Sequence, residues 1–136
     1  MTDTTLREKI EELIRDNPVL LFMKGTPEAP RCGFSMRVVG MLDALGVEYG
    51  AIDVLPALDP LREATGEISD WRTFPQLYVN GELVGGADIV QELAATGELE
   101  SKLNEKLGDS WRSPGEERTV ALGGGSGLRL APGSPG

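Results

Sequence analysis

Histidine is absent from this sequence of 136 residues, and cysteine occurs once, at Cys32. Without an imidazole the chain cannot build a Ser-His-Asp triad, a Cys-His dyad or a His-ligated metal site of its own. With one thiol it forms no internal disulfide and no Cys-rich zinc site. Chemistry at Cys32 therefore has to recruit a partner thiol, a ligand or a second subunit. Long apolar runs are also missing: nothing approaches the roughly 20 residues that a membrane-spanning helix needs. The start, MTDTTLREKI, lacks an apolar segment behind a basic one, so no secretory signal is expected and the expected compartment is the cytoplasm. Basic residues are in deficit, 13 against 22 acidic, for a net charge of −9. A surface of that sign repels phosphate backbones, which argues against nucleic acid as a partner, and membrane association is not expected either.

What is present reads as one α/β domain followed by a tail. Leu6, Ile10, Leu13 and Ile14 recur at helical spacing until Asn17-Pro18. Val19 to Met23 is a short continuous apolar run, the pattern of a strand buried on both faces. A loop from Lys24 to Arg31 leads to Cys32, after which Val38, Met41, Leu42 and Leu45 mark an amphipathic helix ended by Gly46. Val47 to Val54 is predicted as a strand and Pro60 to Ser69 as a helix. Gln76 to Val79 and Glu82 to Val84 flank Asn80-Gly81, a strong hairpin signal. Asp88 is expected to cap the next helix, with Ile89, Val90 and Leu93 facing inward and Gly97 ending it. Leu99, Leu103 and Leu107 give a last helix. The predicted order αβαβαββαα makes a four-stranded mixed sheet flanked by helices. Gly, Ser and Pro supply about half of residues 108–136, so the domain is placed at 1–107 and the remainder is expected to be a mostly disordered tail.

Three stretches carry chemistry. Cys32-Gly33-Phe34-Ser35 opens a helix, where unpaired N–H groups and the positive end of the dipole favour thiolate. Lys24, Arg31 and Arg37 are expected to add positive potential. Thr73-Phe74-Pro75 precedes a central strand, where proline fits if the Phe74–Pro75 bond is cis and the backbone there is turned toward an extended peptide. Gly85-Gly86-Ala87-Asp88 allows close approach at a helix start, suited to a ligand that carries both carboxylate and amine.

With Phe22-Met23-Lys24-Gly25-Thr26-Pro27 and Trp71-Arg72-Thr73-Phe74-Pro75-Gln76-Leu77-Tyr78, these blocks resemble the monothiol (CGFS-type) glutaredoxins over about residues 5–107. The resemblance implies a thioredoxin-like (glutaredoxin) fold in which Pro75 is the cis proline. It implies that glutathione lies along a groove of Lys24, Arg62, Thr73, Phe74, Pro75, Gly86, Ala87 and Asp88. Lys24 and Arg62 would meet the glycyl carboxylate, Phe74 would pair with the cysteinyl backbone, and Ala87 and Asp88 would hold the γ-glutamyl end. It further implies that Cys32 is the redox-active thiol and the metal ligand of a [2Fe–2S] cluster, which needs four ligands. Two chains and two glutathiones supply them in a bridged homodimer that serves cluster assembly, transfer or iron homeostasis. A BolA-like protein and apo iron–sulfur acceptors are the partners implied. The alternative is a glutathione-dependent oxidoreductase that reduces protein–glutathione mixed disulfides. Ser35, where dithiol relatives carry a second cysteine, favours the carrier. The sequence departs from the family pattern at Arg72 (usually Pro), Gly66 (commonly Lys) and Ala87 (usually Cys), and by one extra residue between Asp53 and Arg62.

Overall fold

Val19–Met23 forms β1, and all five of its side chains are buried. Alternate residues feed two separate cores: Val19, Leu21 and Met23 point to one face, Leu20 and Phe22 to the other. In a computed structural model, which describes residues 4–108, 111–112, 116–120 and 128–132, β1 is a central strand of the sheet. It pairs parallel with β4 (Gly50–Asp53) and antiparallel with β5 (Gln76–Val79), which in turn pairs with β6 (Glu82–Gly85). The sheet order β4-β1-β5-β6 is thus mixed, as expected for a thioredoxin-like fold.

Helices α1 (Thr4–Asp16) and α3 (Leu58–Ser69) cover one face through Ile10, Ile14, Leu61 and Ala64. The other face carries α2 (Gly33–Leu45), α4 (Ala87–Thr96) and α5 (Glu98–Leu107) through Val38, Leu42, Val90, Leu99 and Leu103. Gly46 closes α2 with φ of 72°, and the β5–β6 turn places Asn80 and Gly81 at φ of 52° and 83°, the mirror-image geometry that Asn-Gly favours.

Four differences from the sequence reading have local causes. The loop 24–31 contains a short hairpin, β2 (Gly25–Thr26) with β3 (Ala29–Pro30). Gly25 has φ of 91°, and a Cβ there would fall 2.5 Å from the Ala29 carbonyl oxygen, so only glycine closes this turn. The strand predicted over 47–54 enters the sheet only at 50–53, because its first part pairs elsewhere. Val47 bridges to Arg112, and the Glu48 N–H donates to the Trp111 carbonyl at 2.8 Å. Helix α3 starts two residues early, behind a 3-10 turn at Leu55–Ala57.

The fourth difference concerns the domain boundary, which at 107 falls too early. Trp111 is 1% exposed within the core of the α2–α4–α5 face. Its indole N–H donates to Asn104 Oδ1 at 2.8 Å, and the Arg112 guanidinium covers its ring at 4.3 Å. Beyond it, where the composition suggests a disordered tail, β7 (Glu116–Val120) pairs antiparallel with β8 (Leu128–Pro132), and β7 passes close to the edge strand β4. The rest of the expected tail lies outside the described residues.

Candidate functional site

Cys32 is the N-cap of α2, with extended backbone (φ −150°, ψ 136°) and a partly exposed side chain. Burial pushes its thiol up, but opposing contacts outweigh that. The N–H groups of Ser35 and Phe34, the ammonium of Lys24 and the Ser35 hydroxyl all favour thiolate, and Cys32 titrates below its ordinary value. Lys24 is a cation whose charge favours the thiolate. Arg37, expected to share that role, is turned toward α4, where its Nη1 donates to Gln91 Oε1 at 2.9 Å.

Ser35 is fully buried and joins the helix start to β1, its hydroxyl accepting the Lys24 N–H at 3.1 Å. The position that holds a second thiol in dithiol relatives here fixes the geometry between Cys32 and Lys24.

Cys32 opens onto a cleft of about 480 Å³, within the range of small-ligand sites. Every residue expected in the groove lines it: Lys24, Arg62, Thr73, Phe74, Pro75, Gly86, Ala87 and Asp88. The Phe74–Pro75 bond is cis. Lys24 and Arg62 approach from the end of β1 and from α3, whereas Asp88 approaches from α4 on the opposite face of the sheet. The cleft therefore has separate cationic and anionic sides, with the thiolate also in its wall.

Three lining residues were not expected from the sequence: Phe34, Trp71 and Ile89. Phe34 is 52% exposed and Ile89 37%, which corrects the inward orientation predicted for Ile89. The helix begins at Ala87 with Gly86 as N-cap, two residues before the cap expected at Asp88, so Asp88 sits in the first turn and leaves its carboxylate exposed instead of capping. Ile89 faces outward, and Val90 is in the core as expected. The apolar Phe-between-polar pattern of 33–35 and the Trp71 that opens the Thr-Phe-Pro stretch were the available signals for the other two.

A buried polar cluster supports the wall. Gln76 is fully buried, and its Nε2 donates to the carbonyls of Trp71 and Thr73, both at 3.0 Å, and to Thr65 Oγ1 at 3.1 Å. Its Oε1 accepts from the Tyr78 hydroxyl at 2.9 Å, which is 2.7 Å from Ser69 Oγ. Burial raises the Tyr78 pKa, and the Ser69 contact opposes that. Two departures from the family pattern meet nearby. The Arg72 guanidinium occupies the space that a side chain at Gly66 would fill.

A family model described as Glutaredoxin matches residues 19–84. Over 97 residues the chain is 57% identical to the probable monothiol glutaredoxin 2 of Rickettsia typhi, a match covering 71% of this chain and 86% of that protein. The chain belongs to the monothiol glutaredoxins. It is also 52% identical over 101 residues to monothiol glutaredoxin-S11 of Oryza sativa subsp. japonica, covering 74% of this chain but only 20% of that longer protein. Among solved structures it resembles the buckwheat glutaredoxin–glutathione complex, with 29% identity and a TM-score of 0.67 over 75% of this chain and 90% of that one.

Proposed function

We propose that this cleft binds glutathione and that Cys32, with glutathione, holds a [2Fe–2S] cluster as cargo between two copies of the chain. The observation that carries the reading is the placement of the sole thiol in one cleft with Lys24 and Arg62 on one side and Asp88 on the other. Glutathione has a carboxylate at its glycyl end, a thiol in its middle and an amino-acid group at its γ-glutamyl end, so its charges match those walls. The backbone beside Pro75 is the partner for its cysteinyl peptide.

The donor set decides how a cluster would be held. Four ligands, commonly thiolates, are needed. The chain has one cysteine, and among the described residues no group of three or more His, Cys, Asp or Glu side chains could hold a metal. One copy does not fit the cluster. Two copies with two glutathiones fit by count, and a partly exposed, low-pKa Cys32 is suited to be this chain's contribution. In this reading the loaded homodimer delivers its cluster to apo iron–sulfur proteins, and a BolA-like protein is a partner that can take the place of one copy. The depressed Cys32 pKa favours a second activity, reduction of protein–glutathione mixed disulfides, in which the thiolate attacks the glutathionyl sulfur and releases the protein thiol.

Calorimetric titration with glutathione tests the ligand. Saturable binding, weakened in Lys24→Ala and in Arg62→Ala, is expected. Affinity indifferent to both substitutions contradicts the assigned orientation.

A further inference from the structure

Arg37 lies one turn into α2, five residues past Cys32, and its guanidinium is held at the cleft's anionic side by three contacts. Its Cζ is 5.4 Å from the centroid of the Phe34 ring, within cation–π range, and its Nη1 donates to Gln91 Oε1 at 2.9 Å. The same nitrogen is 3.7 Å from Asp88 Oδ1. Phe34 and Asp88 both line the cleft, so Arg37 stands directly behind its rim.

The Arg37–Asp88 pair contributes little as a structural bond. The Asp88 side chain is 91% exposed and that of Arg37 is 44% exposed, so water screens the pair. Phe34 and Gln91 orient the guanidinium independently of Asp88. A cation and an anion held side by side form the complement of an α-amino-acid zwitterion, with Asp88 facing an ammonium and Arg37 a carboxylate. We propose that Arg37 is a specificity-determining residue that recognises the α-carboxylate at the free amino-acid end of the bound thiol ligand. Ligand entry exchanges one solvent-screened pair for two, Asp88 with the ligand ammonium and Arg37 with its carboxylate. Arg37 keeps its Phe34 and Gln91 contacts throughout. This rests on the reading of the cleft as a glutathione site, and it adds a residue that composition and motif place only in the field around Cys32.

The test is calorimetric affinity for glutathione and for γ-aminobutyryl-cysteinylglycine, which lacks only the α-carboxylate, in the wild type and in Arg37→Ala. Arg37 is exposed on a helix surface, so its removal leaves the fold intact. Arg37→Ala is expected to weaken glutathione about fivefold and to leave the decarboxylated analogue unchanged. Arg37→Lys, which keeps charge but loses the planar fork, falls between. Unchanged or tighter glutathione binding in Arg37→Ala overturns the proposal, because Arg37 would then only compete for Asp88. Equal weakening of both ligands also overturns it. A wild type that binds no glutathione removes the reading of the cleft itself, an outcome distinct from binding that is blind to Arg37.

Discussion

Cys32 becomes reactive through contacts supplied by its immediate neighbours. Two backbone N–H groups from the first turn of α2, the Ser35 hydroxyl and the Lys24 ammonium outweigh the burial that would keep the thiol protonated. Because the folded value lies below the unfolded one, thiolate formation favours the folded chain above the unfolded pKa. That contribution fades as pH falls through the folded value. The rate of alkylation against pH should therefore show a midpoint below the ordinary 8.5 or so, and a midpoint at or above it contradicts the electrostatic account. Ser35→Ala removes one thiolate-stabilising contact and the acceptor for the Lys24 N–H. Its alkylation midpoint should move upward, and an unmoved midpoint would show that the hydroxyl only fills space.

The elements around the cleft are held by side chains whose roles differ in how visible they are in the sequence. Gln76 leaves no trace in periodicity, yet it ties α3 to the backbone carbonyls of Trp71 and Thr73 and to Tyr78. Gln76→Leu strands those groups in a buried site and should lower unfolding free energy by about 1–3 kcal/mol, read from urea denaturation, with weaker glutathione binding. A variant as stable as the wild type would show that the network is replaceable. The strands of the four-stranded sheet and the helices were legible, because a five-residue apolar run, an Asn-Gly turn and helical spacings of three and four are local signals. The start of α4 was not. Its cap is Gly86, directly after β6, and Ile89 lines the cleft instead of the core. The role of Arg37 was hidden for the same reason: its partner Asp88 comes from a helix some fifty positions away. The Arg72–Gly66 contact likewise joins two positions that appear in the sequence only as separate departures from a pattern.

At the scale of the whole molecule, the folded body runs past the last helix. Trp111 fills the core beside α5, and the Glu48 N–H bonds to its carbonyl, which ties Trp111 to the stretch leading into β4. Composition hid this, since a single tryptophan stands among glycine, serine and proline. Trp111→Ala should cost about 3–5 kcal/mol in denaturant unfolding, and a chain ending at Leu107 should lose a similar amount. One ending at Arg112 should keep most of the stability. If the chain ending at Leu107 melts like the full protein, Trp111 is not the structural residue its burial indicates. The central claim is a property of two such molecules joined through their only thiols. Anaerobic reconstitution with iron, sulfide and glutathione, followed by size-exclusion chromatography with visible absorbance, tests it most directly. The account predicts a chromophore that elutes with a dimer and disappears both in Cys32→Ser and when glutathione is withheld; a normal amount of cluster in Cys32→Ser, or full loading without any thiol, would contradict it.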